Sequence, residues 1–174
     1  MKRSICLLCL SALGIALTFI ASLIRIPIPS IRWYFHLGDT IIFIVSLLFG
    51  PIAGAVSGAI GSSLADLQAG LAVWIPFSLV IKGFEGLVVG WISQGHEGKK
   101  DLVALFIGSL LMIGGYAIAT IILFGWPVLI YEIPVDVIQC VVAIILSLFI
   151  VRSIRKRFPI ISKLKGCIEW KNQI

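Results

Sequence analysis

Two residues of opposite charge stand one helical turn apart inside an apolar stretch of this sequence. Residues 74–91 read WIPFSLVIKGFEGLVVGW, and Lys82 and Glu85 are the charged side chains in this stretch. As a helix it would span roughly 26 Å at about 1.5 Å per residue, close to the thickness of a bilayer core. Both charges would then lie near the membrane midplane, where a charge costs roughly 2.5–3.5 kcal/mol even on the lenient insertion scale. We therefore expect Lys82 and Glu85 to face the interior of a helix bundle.

The spacing around these two residues supports an interior position. At 100° per residue, Ser78, Lys82 and Glu85 fall on one stripe of the helix, and the glycines at 83, 86 and 90 form the stripe beside it. Small residues of this kind let membrane helices approach closely. Two interpretations remain open for the charges, namely a buried ion pair that only fixes packing and a ligand-orienting group with its counter-charge.

Four further polar residues are candidates for contact with a ligand. Asp39 and Asp136 stand near the predicted starts of helices, where an acid can serve simply to stabilise the helix terminus. Asp66 stands at a predicted helix end, where an acid opposes the helix dipole, which favours a paired or ligand-facing role. Gln139 follows Asp136 by about one turn and adds a second polar group to that face.

Aromatic residues accompany these polar groups. Trp33, Tyr34 and His36 precede the second apolar segment, Trp74 begins the charged stretch, and Tyr116 lies in the middle of a later segment. Such residues can form a belt at the membrane interface, or they can stack on a flat ligand. The hydroxyl of Tyr116 needs a hydrogen-bond partner at that depth.

The composition decides the class of protein that carries these residues. Of 174 residues, 60% are hydrophobic and 13% are charged, which predicts an all-α integral membrane protein forming one compact domain. The apolar run after the first residues is too long for a signal peptide and lacks a cleavage site, so we expect an uncleaved first helix. We predict six transmembrane helices, at residues 5–24, 39–50, 51–67, 74–92, 102–123 and 135–152. A basic cytoplasmic tail follows at residues 153–174.

The positive charges predict the orientation of this six-helix bundle. Six segments place both termini on one side, and that side carries most of the basic residues, namely Lys2, Arg3, Lys99, Lys100, Arg152, Arg155, Lys156, Arg157, Lys163, Lys165 and Lys171. The opposite loops carry only Arg25 and Arg32. The positive-inside rule therefore predicts cytoplasmic N and C termini. The candidate aspartates and most of the aromatic residues then fall in the outer half, which predicts a pocket open to the outside.

The motifs of several enzyme classes do not occur in this sequence. It contains no phosphate-binding loop, no zinc-protease motif and no nucleophile elbow, and we expect no catalytic residues, no metal and no cofactor. Cys6 and Cys9 have the C-x-x-C spacing of redox proteins, which leaves a membrane thiol oxidoreductase as one alternative. For the basic tail we expect contact with anionic lipid and not with nucleic acid.

Two stretches resemble a known family. HLGDTIIFIVSLLFGPIAGAVSGAIGSSLADL at residues 36–67 and WIPFSLVIKGFEGLVVG at residues 74–90 resemble the substrate-binding S components of energy-coupling factor (ECF) vitamin transporters. Ala12 and Ala16 resemble the A-x-x-x-A motif with which such proteins dock their transmembrane coupling subunit. The resemblance covers nearly the whole chain.

This resemblance implies a protein that binds a vitamin or precursor from outside. It also implies a transmembrane coupling subunit (T component) and two cytoplasmic ATPases as partners, with a first outer loop that acts as a lid. The implied substrate is hydroxymethylpyrimidine or pyridoxine, with riboflavin as the alternative, and a self-contained secondary carrier is a further hypothesis. The candidate substrate-binding residues are Trp33, Tyr34 and His36 in the lid and Asp39, Asp66, Trp74, Lys82, Glu85, Tyr116, Asp136 and Gln139 in the bundle.

Overall fold

Six α-helices make up most of the computed structural model, which describes residues 2–27, 34–94 and 98–158. The helices are α1 (Lys2–Leu23), α2 (Gly38–Phe49), α3 (Pro51–Gln68), α4 (Ile75–Ile92), α5 (Lys99–Phe124) and α6 (Leu129–Arg157). Short 3₁₀ turns, Ala72–Trp74 and Trp126–Val128, precede α4 and α6. Of the predicted basic tail, residues 159–174 lie outside the described residues.

The hydropathy of these helices identifies four that are long and apolar enough to cross a membrane. These stretches are Ser4–Leu23, Ala72–Ile92, Lys99–Phe124 and Trp126–Arg157, and α2 is a shorter apolar helix. Large apolar side chains such as Leu8, Ile130 and Phe149 are more than two-thirds exposed on their surfaces. Apolar residues on the outside and polar residues inside are the arrangement expected of helices that pack in lipid.

A two-stranded ribbon follows α1, which the all-α prediction did not include. Strand β1 (Arg25–Pro27) pairs antiparallel with β2 (Tyr34–His36), with Arg25 opposite His36. Pro27 disfavours helix at this point, but an extended strand at the edge of a ribbon tolerates proline. We call the end of the bundle that carries this ribbon the ribbon end.

Helices α3 and α4 approach closely because glycines line their contact. A Cβ atom at Gly86 would collide with the carbonyl group of Gly54, and one at Gly58 would collide with the carbonyl of Lys82. At Gly90 a Cβ would lie 2.5 Å from the backbone of Pro51. The predicted glycine stripe of α4 is therefore a helix–helix contact, and it turns the neighbouring stripe of Ser78, Lys82 and Glu85 into the bundle interior.

Helix α6 is longer than predicted at its N-terminal end. It begins at Leu129 and includes Pro134, whereas the predicted sixth helix begins at residue 135, directly after this proline. Proline lacks only one backbone N–H and is tolerated in membrane helices when neighbouring groups compensate. The earlier start adds Glu132 to the face that carries Asp136 and Gln139.

The end of the bundle opposite the ribbon end is filled by apolar side chains and closed by one arginine. Phe43, Leu47, Val89 and Leu105 belong to this core, and all four are fully buried. Arg155 donates to Oδ2 of Asp101 over 2.5 Å and to the backbone carbonyl of Leu47 over 3.1 Å. These contacts join the ends of α2, α5 and α6.

Candidate functional site

A cluster of buried charges lies at the centre of the bundle. The ammonium nitrogen of Lys82 is 2.5 Å from Oδ1 of Asp39 and 3.1 Å from Oε2 of Glu85. All three residues are 0% exposed. The pairing of Lys82 with Glu85 matches the expectation of an interior ion pair, whereas Asp39 on α2 is a second partner that the sequence did not predict. The cluster costs desolvation energy, which close pairing offsets.

Gln139 connects this cluster to the ribbon. Its side-chain amide donates to Oδ2 of Asp39 over 2.8 Å, and its carbonyl oxygen accepts from the backbone N–H of His36 over 3.2 Å. Strand β2 and helices α2, α4 and α6 are thereby joined by one set of polar contacts. We call Asp39, Lys82, Glu85 and Gln139 the buried polar network.

A cavity of about 540 Å³ lies between the buried polar network and the ribbon end. Its volume is within the range of small-molecule sites, roughly 300–1,000 Å³. The lining residues come from β2 and from the ribbon-end portions of α3 to α6 and their connections, namely His36, Asp66, Leu71, Trp74, Ser78, Met112, Tyr116, Phe124, Glu132, Val135, Asp136 and Gln139.

Aromatic rings form one side of this cavity. The ring of Trp74 lies 5.8 Å from that of Tyr116 and 5.9 Å from that of Phe124, measured between centroids. The hydroxyl of Tyr116 is 2.8 Å from Oγ of Ser78, which provides the hydrogen-bond partner that its depth requires. The ammonium of Lys82 lies 5.3 Å from the Tyr116 ring centroid, within cation–π distance. The Tyr116 ring is therefore held in place by its contacts with Ser78, Trp74 and Lys82.

Carboxylates also line the cavity. Asp66, Glu132 and Asp136 all contribute to its wall. Oε2 of Glu132 and Oδ2 of Asp136 are buried and have no hydrogen-bond partner among the described residues. A carboxylate oxygen accepts hydrogen bonds, so a ligand rich in N–H or O–H donors would satisfy both atoms.

The structure divides the predicted site residues into two layers. His36, Asp66, Trp74, Tyr116, Asp136 and Gln139 line the cavity. Asp39, Lys82 and Glu85 form the layer beneath it, and none of them contributes to the wall of this cavity. Tyr34 lies in β2, and Trp33 lies outside the described residues.

Several lining residues were not among the predicted site residues. Glu132 is the most consequential, because it is a buried carboxylate on the same face as Asp136 and Gln139. Its spacing of four residues before Asp136 was a usable signal, but the predicted helix began at residue 135 and so did not include Glu132. Ser78 belonged to the recognised polar stripe, and its position one turn before Lys82 indicated the same interior face.

The remaining candidates lie outside the cavity. Ala12 and Ala16 are exposed on α1, on a face that also exposes Leu8 and Leu13. Cys6 and Cys9 are free cysteines, and Cys9 is exposed. In the described part of the chain, no group of three or more His, Cys, Asp or Glu residues is arranged to hold a metal ion.

Comparison with known proteins identifies the family. A family profile described as "ECF-type riboflavin transporter, S component" matches residues 2–156. The chain belongs to this family of ECF S components. It is therefore a multi-pass membrane protein of a transport system for vitamins or their precursors, and members of this family are not enzymes.

Three individual proteins are similar to this S component in sequence or in fold. The thiamine precursor transporter HmpT of Lactococcus lactis is 32% identical over 148 residues, which are 84% of this chain and 86% of the relative. An uncharacterized protein of Pyrococcus woesei is 39% identical over 133 residues, 76% of this chain and 89% of the relative. The structure of ThiT from Listeria monocytogenes superposes with a TM-score of 0.70 at 19% identity, covering 92% of this chain and 98% of ThiT.

Proposed function

We propose that this S component binds hydroxymethylpyrimidine, or the similar ring pyridoxine, from outside the cell and delivers it inward. The observation that carries the proposal is the cavity at the ribbon end, which combines a tilted pair of aromatic rings with buried carboxylate oxygens that have no partner among the described residues. The 32% identity to a thiamine precursor transporter supports the same class of substrate.

The orientation of the bundle determines which side the cavity serves. All six helices cross the membrane in this proposal, and the start of α1 and the end of α6 lie opposite the ribbon end. Lys99 and Lys100, and the basic residues of α6 between 152 and 157, also lie at that opposite end. The positive-inside rule then places both termini in the cytoplasm and the cavity on the outer side.

The lining of the cavity suits a small, flat, donor-rich ring. An aromatic heterocycle would stack on Trp74 or Tyr116, since offset or tilted aromatic pairs are favourable at centroid distances of about 4.5–7 Å. An amino group on that ring has two N–H bonds and would donate to Asp136 and Glu132. Hydrogen bonds to charged groups contribute roughly 1.5–3 kcal/mol each, so the carboxylates would dominate the choice of substrate.

The other parts of the transport system follow from the family. We infer a T component and two cytoplasmic ATPases as partners, because the described residues carry no phosphate-binding loop of their own. The exposed Ala12–Ala16 face of α1 suits the T component, since small residues allow a partner helix to approach closely. Trp33 and Tyr34 would belong to a lid over the bound substrate, together with His36 at the cavity wall.

Binding measurements with one pocket variant test the proposed substrate. Mass spectrometry of small molecules that co-purify with the protein should find hydroxymethylpyrimidine or pyridoxine, and calorimetric titration should show saturable binding. Asp136→Asn should weaken this binding by about 10- to 100-fold, because the ligand loses a charged acceptor. Asp101→Asn is the matched control, since this carboxylate contacts Arg155 far from the cavity and its change should leave the affinity unaltered.

Two outcomes would overturn the proposal. If the purified protein is yellow because it carries a flavin, its substrate is riboflavin, the vitamin named for the matching family. Uptake into liposomes by this chain alone, without ATPase subunits, would instead identify a self-contained secondary carrier.

A further inference from the structure

A second, much smaller cavity adjoins the first on the side of the buried polar network. Its volume is about 10 Å³, and its wall includes the hydroxyl-bearing residues Ser62, Ser78 and Tyr116 together with Lys82. Ser78, Tyr116, Asp66 and His36 line both cavities, so the small one opens from the floor of the large one.

One of the residues that line the small cavity carries a polar atom that lacks a partner among the described residues. Oγ of Ser62 is buried and has no hydrogen-bond partner among the described residues, and the residue as a whole is 5% exposed. A buried hydroxyl in this state is unfavourable unless something else bonds to it. Lys82 also lines the small cavity and can supply a donor, because its ammonium group has three N–H bonds and its ion-pair partners among the described residues are Asp39 and Glu85.

The size of this cavity limits what can occupy it. A space of about 10 Å³ corresponds to one water molecule or one hydroxyl group, and such a site needs two or more polar partners. Ser62, Ser78, Tyr116 and Lys82 provide them. A methyl group of similar size would leave the same polar groups unsatisfied.

We propose that the small cavity is a hydroxyl subsite, in which the hydroxymethyl group of the bound ring places its oxygen. The oxygen accepts a hydrogen bond from Lys82 and exchanges one with Oγ of Ser62, while the ring remains in the large cavity between Trp74 and the carboxylates. This inference rests on the proposed function, because both candidate rings carry a hydroxymethyl group. It assigns to Lys82 and Ser62 the discrimination between a hydroxymethyl and a methyl substituent.

Matched ligands test the subsite on the wild-type protein. Hydroxymethylpyrimidine is compared by calorimetry with the analogue in which a methyl group replaces the hydroxymethyl group, and pyridoxine is compared with the analogue in which methyl groups replace both of its hydroxymethyl groups. The hydroxymethyl compound should bind at least tenfold more tightly, because a site built around a ligand hydroxyl penalises a ligand that lacks it. Equal affinities within a pair that binds would refute the subsite and leave the proposed substrate class standing. If no hydroxymethyl ring binds, the proposed function fails and the subsite falls with it.

A pair of serine variants then locates the subsite. Ser62→Ala should reduce the preference for the hydroxymethyl ligand severalfold and change the affinity for the methyl analogue little. Ser57→Ala is the control. Ser57 lies on the same helix as Ser62, is fully buried and also lacks a hydrogen-bond partner among the described residues. It faces Gly14 of α1, however, and does not line the small cavity. An unchanged preference in Ser62→Ala, or an equal loss in Ser57→Ala, would contradict the assignment.

Discussion

Removal of the Lys82 charge should be among the most damaging single substitutions in this protein. Its ammonium lies 2.5 Å from one buried carboxylate and 3.1 Å from another, and neither Asp39 nor Glu85 is exposed. Lys82→Met would keep most of the side-chain volume but leave both carboxylates without a counter-charge. Breaking a buried pair by removing one partner costs roughly 3–5 kcal/mol, a large part of the typical 5–15 kcal/mol of folding free energy.

The measurement is unfolding of the purified protein in detergent, by heat and by denaturant. Lys82→Met should show a greatly lowered midpoint, whereas Lys100→Met, which removes an exposed charge, should stay within about 0.5 kcal/mol of the wild type. The triple variant Asp39→Asn/Lys82→Met/Glu85→Gln should recover much of the loss, because no uncompensated charge remains in it.

Two results would refute this reasoning about the buried polar network. One is a loss of less than about 1 kcal/mol in Lys82→Met, which would mean that the carboxylates reach water or another cation. The other is a triple variant that is no more stable than Lys82→Met, which would locate the cost in packing and not in charge.

Two further predictions concern the surfaces of the helices. Gly86→Ala should destabilise the protein by about 1–3 kcal/mol in the same unfolding experiment, because the added Cβ collides with the Gly54 carbonyl. Gly114→Ala is the control and should be neutral or slightly stabilising, because no atom lies within 4 Å of a Cβ added there. Ala16→Trp should leave ligand affinity unchanged but abolish co-purification with a T component; an intact complex would contradict the docking face, and Ile118→Trp on the exposed face of α5 is the control.

The sequence predicted that Lys82 and Glu85 face the bundle interior, but it did not predict all of their partners. The apolar length of residues 74–91 and the 100° period sufficed to place Lys82 and Glu85 inside the bundle beside a glycine contact. Asp39 was considered for helix capping or ligand contact, and its pairing with Lys82 joins residues 43 positions apart. No local pattern encodes that distance, because it depends on how α2 and α4 pack.

The residues of the candidate site were also predicted only in part. Trp74, Tyr116 and Asp136 were singled out from their type and depth, and all three line the cavity. Glu132 was missing from the predicted site residues because the predicted helix began only after Pro134. Proline is nevertheless tolerated within membrane helices when neighbouring groups compensate. The ribbon was also missed, since three-residue strands carry too little alternation to be recognised.

The packed end of the bundle determines how a bound molecule can leave. Below the cavity lie the buried charges, then the core around Phe43 and Leu105, then the contacts of Arg155 with Asp101 and Leu47. A pore through the bundle axis would have to separate all three layers and break their ion pairs and hydrogen bonds. If the cavity faces outward as proposed, inward release would disrupt less of the structure by tipping the whole bundle as a rigid body in the membrane, so that the mouth of the cavity itself changes sides.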